Sequence, residues 1–140
     1  MVSRRTQLVV TRAHAFVYRL TRGRLGGRLG NAEQVLLTTT GRVSGEPRTT
    51  PLSCIPDGPR LVLVASDGGK PQHPQWYRNL LADDLVTVQR GGTQYRMRAR
   101  TATPAERERL WPVVVGVYSG YAQYQQRTDR EIPLVLCEPA

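Results

Sequence analysis

Residues 35–66 read VLLTTTGRVSGEPRTTPLSCIPDGPRLVLVAS, and this stretch decides the fold. Val35–Thr40 is a largely β-branched run closed by Gly41, which is how a strand announces itself in sequence. The loop Gly41–Pro47 (GRVSGEP) separates it from a second strand over Arg48–Ile55. Pro56-Asp57-Gly58-Pro59 sets four turn formers in a row, each suited to a tight reversal. Arg60–Ala65 (RLVLVA) is apolar after its first residue, as expected of a strand covered on both faces. Connections this short favour antiparallel pairing and leave no room for a helical crossover.

Working outward, the loop Ser66–His73 (SDGGKPQH) leads to Pro74, which opens a short helix to about Ala82. Leu85–Arg90, Gly91-Gly92 and Thr93–Thr101 make a hairpin, with both glycines predicted to supply positive φ. On its second arm Arg96, Arg98 and Arg100 share one face, and Tyr95, Met97 and Ala99 the other. That arginine row suits a solvated face better than a polyanion contact. Thr103-Pro104-Ala105-Glu106 is a capping box with proline at the first helical position. It starts a helix to about Tyr118, bent near Pro112. A second helical piece carries Tyr121 and Tyr124, and Ile132–Cys137 closes the chain as a strand. About six mostly antiparallel strands with three or four helices describe an α+β domain around a small barrel.

The 140 residues suit one domain, and a 39% hydrophobic share can build a core. Lys and Arg number 20 against 11 acids, a net charge of +9, and Lys70 is the sole lysine. Arginine holds phosphate or carboxylate through two parallel hydrogen bonds, so the excess suits an anionic ligand or surface. Arginine-rich genomic composition would produce the same surplus. Residues 1–31 form a basic N-terminal unit, distinct from a domain over 32–140, with no acid before Glu33. Leu8, Val9, Ala13, Phe16, Val17 and Leu20 recur at helical spacing between Gln7 and Thr21, followed by the Gly-rich connector Gly23–Gly30. Such a helix, rising ~22 Å, is too short to span a bilayer. It could dock on the domain's own core or lie on an anionic membrane face at the cytoplasmic side. The sequence shows no secretory signal, and two cysteines in apolar runs, Cys54 and Cys137, suit reduced core thiols of a cytoplasmic protein. His14 and His73 have no metal-ligand spacing, so no metal is expected, and no nucleic-acid motif is present.

Two loops leave strand ends with chemistry on them. In Gly41–Arg48 two arginines, Arg42 and Arg48, flank a Ser44-Gly45 turn, an arrangement able to face an anion. It is not a P-loop, because no lysine followed by Ser or Thr closes it. Ser66-Asp67-Gly68-Gly69 follows the apolar strand, and Trp76-Tyr77 offer an aromatic edge to a flat ligand, although Trp76 also suits a core position. Tyr118, Tyr121 and Tyr124, three apart, can line one side of a pocket or pack as an amphipathic face. No Ser–His, Cys–His or paired-acid constellation occurs in a recognisable motif, so an enzyme built on this chain would leave the hard step to a cofactor.

Taken in order, LLTTTGR (36–42), Gly45, Pro47-Arg48, Pro51-Leu52, Val64–Ser66, Gly68-Gly69, HPQWYRNL (73–80), Val86–Gln89, ERERLWP (106–112) and YSGYAQYQQRTDREIP (118–133) resemble the deazaflavin-dependent nitroreductases, the F420H2-dependent quinone reductases of actinobacteria. The resemblance implies a split β-barrel related to FMN-binding oxidases. It also implies coenzyme F420, an 8-hydroxy-5-deazaflavin, as donor of hydride to a quinone, nitroaromatic or activated enone. By the resemblance, Arg42, Val43, Ser44, Gly45, Pro47 and Arg48 hold the anionic tail, a phosphodiester with a glutamate chain. Val64, Ala65, Ser66 and Asp67, with Gln75, Trp76, Tyr77 and Asn79, lie along the ring. Tyr118, Tyr121 and Tyr124 border the acceptor, and Ser66 steadies charge. Relatives often carry a basic residue where Val43 stands and lysine where Asp67 stands. A carboxylate at Asp67 repels phosphate, and Lys70 or Arg78 is expected to supply the missing charge. Alternatives are an FMN-dependent oxidoreductase of the same barrel, a non-enzymatic F420 carrier, and a basic membrane-binding module.

Overall fold

The structure is a computed structural model that describes residues 28–29 and 32–140. The helix expected over Gln7–Thr21 and the division at residue 31 lie outside the described residues.

A two-residue strand, β1 (Arg28–Leu29), pairs with the start of β2 (Ala32–Thr40). Then follow β3 (Pro47–Asp57) and β4 (Arg60–Val64), helix α1 (Gln75–Ala82), β5 (Leu85–Arg90) and β6 (Thr93–Thr101). Helices α2 (Pro104–Val117) and α3 (Gly120–Gln126) lead to the last strand, β7 (Leu134–Pro139). The sheet order is β1-β2-β3-β4-β7-β6-β5, and β2 pairs again with β5 at Leu37 and Val88. That second pairing closes six antiparallel strands, β2 to β7, into a barrel with no free long edge. The α+β barrel expected from the sequence is the observed fold.

The apolar runs have a clear cause in this topology. Along β4, Leu61 and Leu63 point into one core with Val35, Leu37, Val86, Val88 and Met97. Val62 and Val64 point the opposite way, into a second core with Leu110 and Val114 of α2 and Tyr121 of α3. β7 repeats the pattern, with Val135 and Cys137 inside the barrel and Leu134 and Leu136 beneath the helices. Strands buried on both faces have no polar side, so alternation vanishes from their sequence. β6 has only one covered face: Met97 and Ala99 are buried and Arg96, Arg98 and Arg100 are exposed. Two of those arginines meet carboxylates, Arg98 with Asp84 at 2.7 Å and Arg100 with Glu106 and Glu138 at 2.7 Å each.

Turn chemistry needs one correction. β5 and β6 are joined by Gly91-Gly92, but only Gly91 takes a positive φ, 57°. A two-residue hairpin loop with φ > 0 at its first position alone follows the II′ pattern, so one obligatory glycine suffices. The last strand also lies two residues later than expected. Ile132 and Pro133 are lead-in, with Pro133 accepting from the Ala65 N–H at 3.0 Å, while Glu138 and Pro139 extend the pairing with β6. The capping box is present in full: Thr103 Oγ1 accepts from the Glu106 N–H, and Glu106 Oε1 accepts from the Thr103 N–H. α2 then runs on through Pro112.

Candidate active site

One end of the barrel carries a groove in two joined parts. The larger, about 530 Å³, lies between the β2–β3 loop and the start of α1. The smaller, about 290 Å³, lies between β3, the end of β4 and the tyrosines that follow α2. Thr50, Asp67, Pro74 and Trp76 line both, so one extended ligand could cross from one part to the other. Volumes of this size match those that hold cofactors and drug-sized molecules.

The larger part is built around two arginines. Arg42 donates from Nη1 to Asn79 Oδ1 at 2.8 Å, and its backbone N–H reaches the same oxygen at 3.2 Å. Asn79 is buried, and its Nδ2 donates to Thr39 Oγ1 at 3.3 Å, so the amide is satisfied on both ends and fixed in orientation. A buried amide held this way aims Arg42 without neutralising it. Arg48 donates to Ser44 Oγ at 3.2 Å, and the Glu46 N–H reaches that hydroxyl at 3.1 Å, which holds the loop closed. Neither arginine forms a salt bridge within the described residues. The first turn of α1 adds backbone N–H groups at Gln75 and Trp76, both on the groove wall, and a helix N-terminus favours negative charge.

Asp67 is the one carboxylate on the groove wall among the described residues. Lys70 Nζ lies 3.7 Å from Asp67 Oδ1, with the lysine side chain 72% exposed. This is a weak exposed pair, and Lys70 itself lines neither part of the groove. Arg78 is exposed on α1 and lines neither part. Val43 is 93% exposed at the loop tip, an apolar rim beside Arg42.

The smaller part is walled by aromatic rings. Tyr118 and Tyr121 meet edge to face with ring centres 5.0 Å apart, and Tyr118 and Tyr124 share a hydroxyl hydrogen bond of 3.2 Å. Tyr118 ends α2 while Tyr121 and Tyr124 sit on α3, so a break between two helices brings the three rings to one wall. Burial, partly offset by a hydrogen bond with Ser53, pushes the Tyr121 phenol above its ordinary pKa. The bond to Tyr118 does the same for Tyr124, followed by its own burial. Both phenols therefore stay protonated at neutral pH and can donate. Val64 and Ser66 form the floor.

The residues expected from the sequence divide accordingly. Arg42, Val43, Ser44, Arg48, Asp67, Gln75, Trp76 and Asn79 line the larger part, and Val64, Ser66 and the three tyrosines the smaller. Gly45, Pro47, Ala65 and Tyr77 do not line it. Gly45 shapes the loop, donating its N–H to Gly41 O at 2.8 Å, and Pro47 begins β3. Ala65 is fully buried. Tyr77 turns into the barrel core and its hydroxyl meets Thr101 Oγ1 at 2.8 Å. Neighbours on a helix point about 100° apart, so Trp76 and Tyr77 cannot both face one groove. Sequence reasoning missed Thr49, Thr50 and Ser53, which lie on a continuous stretch of β3 along the groove and carry no motif. It also missed Arg130, whose contacts lie far away in sequence. Among the described residues no His/Cys/Asp/Glu group could hold a metal.

Comparison with known proteins gives a consistent result. Residues 10–139 match the family described as F420H(2)-dependent quinone reductase. An F420H(2)-dependent quinone reductase of Mycobacterium tuberculosis is 37% identical over 139 residues, covering 96% of this chain and 93% of the relative. A solved F420-H2 dependent reductase (FDR-A) is similar at a TM-score of 0.69 and 42% identity, over 75% of this chain and 93% of that one. A putative pyridoxamine 5'-phosphate oxidase of Listeria innocua shares the fold alone, with a TM-score of 0.54 and 12% identity over 76% of this chain and 82% of that one.

Proposed function

The chain belongs to the F420H(2)-dependent quinone reductase family, and from that premise we propose how its groove performs an F420H2-dependent reduction. The cofactor is coenzyme F420, whose reduced ring carries a transferable hydride on carbon where flavin has nitrogen and so favours two-electron chemistry. The observation that carries the assignment of the groove is its division of labour. Two arginines without carboxylate partners face one part, and three clustered phenols face the adjoining part.

The residues fit an elongated ligand with an anionic tail and a flat head. Arg42, aimed by Asn79, and Arg48, held by Ser44, take the tail's charge in the larger part. Trp76 and Pro74, common to both parts, give the head an apolar edge where the two meet. Val64 and Ser66 support it from below, with the Ser66 hydroxyl available to a developing negative charge. Tyr118, Tyr121 and Tyr124 wall the space for the acceptor. Positioning supplies most of the rate, because a held donor and acceptor react as one molecule.

Reduction of a quinone to a hydroquinone needs one hydride and one proton. The Tyr118–Tyr124 hydroxyl pair sits on the acceptor wall and can deliver the proton, with solvent restoring it. The acceptor is a quinone; nitroaromatics and activated enones, equally flat and electron-poor, fit the same phenolic wall. We further propose that the basic stretch Arg4–Arg28 brings the protein to an anionic membrane face, where apolar quinones collect. Co-sedimentation with phosphatidylglycerol vesicles, lost on deleting residues 1–27, tests that part. For the groove, reoxidation of reduced F420 by menadione is the test. Turnover lost in Tyr118→Phe/Tyr124→Phe with F420 still bound supports the assignment, and full turnover in that double variant removes the phenols from the reaction.

A further inference from the structure

Behind the groove, Arg130 makes a set of contacts that the proposed reaction does not use. It lies between α3 and β7, and its guanidinium reaches back to the Ala65–His73 segment. Nη1 donates to Ala65 O at 3.1 Å, Nη2 to Ser66 O at 2.8 Å and Nε to Lys70 O at 2.9 Å. Nη1 also meets His73 Nδ1 at 3.0 Å, and since a guanidinium only donates, that nitrogen accepts. No carboxylate of the described residues forms a salt bridge with Arg130, and burial lowers its pKa.

The arginine is itself fixed. Gln125 Nε2 donates to the Arg130 carbonyl at 2.7 Å, while Gln125 Oε1 accepts from the Ile132 N–H at 2.8 Å and from Arg107 at 3.1 Å. Gly69, at φ 81°, lets the loop press onto α3: a Cβ there would lie 2.5 Å from the Tyr124 carbonyl oxygen. One segment, Tyr118–Arg130, therefore walls the acceptor space and braces the loop beneath it.

A trans peptide is planar, with C=O and N–H pointing in opposite directions. The carbonyl of Ala65 shares its plane with the Ser66 N–H, and the carbonyl of Ser66 with the Asp67 N–H. Arg130 draws both carbonyls to its own side, so both N–H groups are turned away from it. Ser66 and Asp67 line the groove and Arg130 does not. Among the described residues neither N–H has a hydrogen-bond partner. Ser66 in the right-handed region followed by Asp67 at φ 43° is the backbone pattern of an anion-binding nest.

We infer that Arg130 is a positioning residue that fixes the Ala65–Ser66 and Ser66–Asp67 peptide planes, so that their N–H groups form a ready-made donor pair for an electron-rich edge of the bound cofactor. The inference rests on the reading of the groove as the F420 site. It places two donors beside Ser66 whose geometry depends on a residue that touches no ligand.

Amide exchange followed by NMR, together with F420 fluorescence titration, tests it. In the unmutated protein the Ser66 and Asp67 amides exchange fast when free and slow down once F420 saturates. In Arg130→Lys, which keeps the charge but cannot reach three carbonyls, the Gly69 and Lys70 amides lose protection even without cofactor. F420 affinity falls about tenfold, the scale of one lost charge-assisted hydrogen bond. In Arg130→Ala, millimolar guanidinium restores part of the affinity. Unchanged exchange at residues 66–67 on saturation of the unmutated protein overturns the inference whether or not the variants fold. So does wild-type affinity in a folded Arg130→Lys. Failure of the unmutated protein to bind F420 removes the groove reading, and the inference with it, whereas exchange in the free Arg130→Lys protein still reports whether the brace exists.

Discussion

Single residues decide how this groove treats charge. Asn79 carries no charge, yet it is buried, holds Arg42 through one oxygen and is anchored through its nitrogen to Thr39. Replacing it by Ala frees Arg42 and removes the donor to the buried Thr39 hydroxyl. We expect F420 affinity to fall about tenfold and stability by about 1–3 kcal/mol, read by titration and by thermal melting. Cys54 and Cys137 show the opposite situation. Burial pushes both thiols up to about 12, Cys54 further helped by the neighbouring Glu33 carboxylate. Thiolate is the reactive form, so neither should react with iodoacetamide at pH 8 until the protein unfolds. Labelling of the native protein within minutes would show a more open barrel. The buried state of the two cysteines was legible in the sequence from their apolar neighbours, whereas Asn79 entered only by resemblance as a residue along the ring, and its hold on Arg42 was not legible. Tyr77 read as part of an aromatic edge, and only its place on α1, one step round from Trp76, sends it into the core. Arg130 stood inside the quoted stretch 118–133 but its role was not legible there, because its side-chain partners lie 57 to 65 residues away and three of them are backbone carbonyls.

At the scale of elements, short polar signals did more than hydrophobic periodicity. The Thr103–Glu106 box fixed the start of α2 to the residue, since two reciprocal backbone bonds leave no freedom there. Thr103→Ala should cost about 1 kcal/mol of stability, measured by denaturant unfolding. Glu106 also faces Arg100 through both oxygens and Arg60 at 3.3 Å. The bonds from Arg100, and after them the Thr103 backbone N–H, hold its carboxyl well below the ordinary carboxylate range. Asp57 is lowered in the same direction by Arg109 and Arg60. A carboxylate with a depressed folded pKa stabilises fully above its unfolded pKa of ~4 and loses that contribution as pH falls further. The thermal midpoint should therefore drop on acidification below about pH 4, and Glu106→Gln should flatten that drop. A midpoint that rises on acidification would contradict the sign. Periodicity failed where it had to: β4 and β7, covered on both faces, look alike whether they lie in a barrel or a parallel sheet. Their end points were misplaced by up to two residues, because pairing with β6 and not local composition sets where β7 stops.

At the scale of the whole molecule, the described residues form a closed barrel with two cores, one inside the strands and one under α2 and α3, and the groove opens where the two meet. Closure through the β2–β5 pairing positions the arginine loop, which leaves the end of β2, beside the start of α1. The antiparallel barrel was legible from loop lengths. The order of strands was not, because β7 inserts between β4 and β6 after two helices and nothing local marks that return. Most of the positive surplus comes from the acid-free residues 1–31, while among the described residues Arg42 and Arg48 line the groove without a salt bridge and much of the β6 arginine row meets carboxylates. Binding at the groove should weaken as ionic strength rises, since added ions screen the tail's contacts with those arginines. One comparison tests the central claim most directly: fluorescence titration of the unmutated protein with F420 and with FMN, side by side. We expect saturable, salt-weakened binding of F420 that is lost in Arg42→Ala/Arg48→Ala, and little or no response to FMN. Tight FMN binding, or F420 binding indifferent to both arginines, would contradict it.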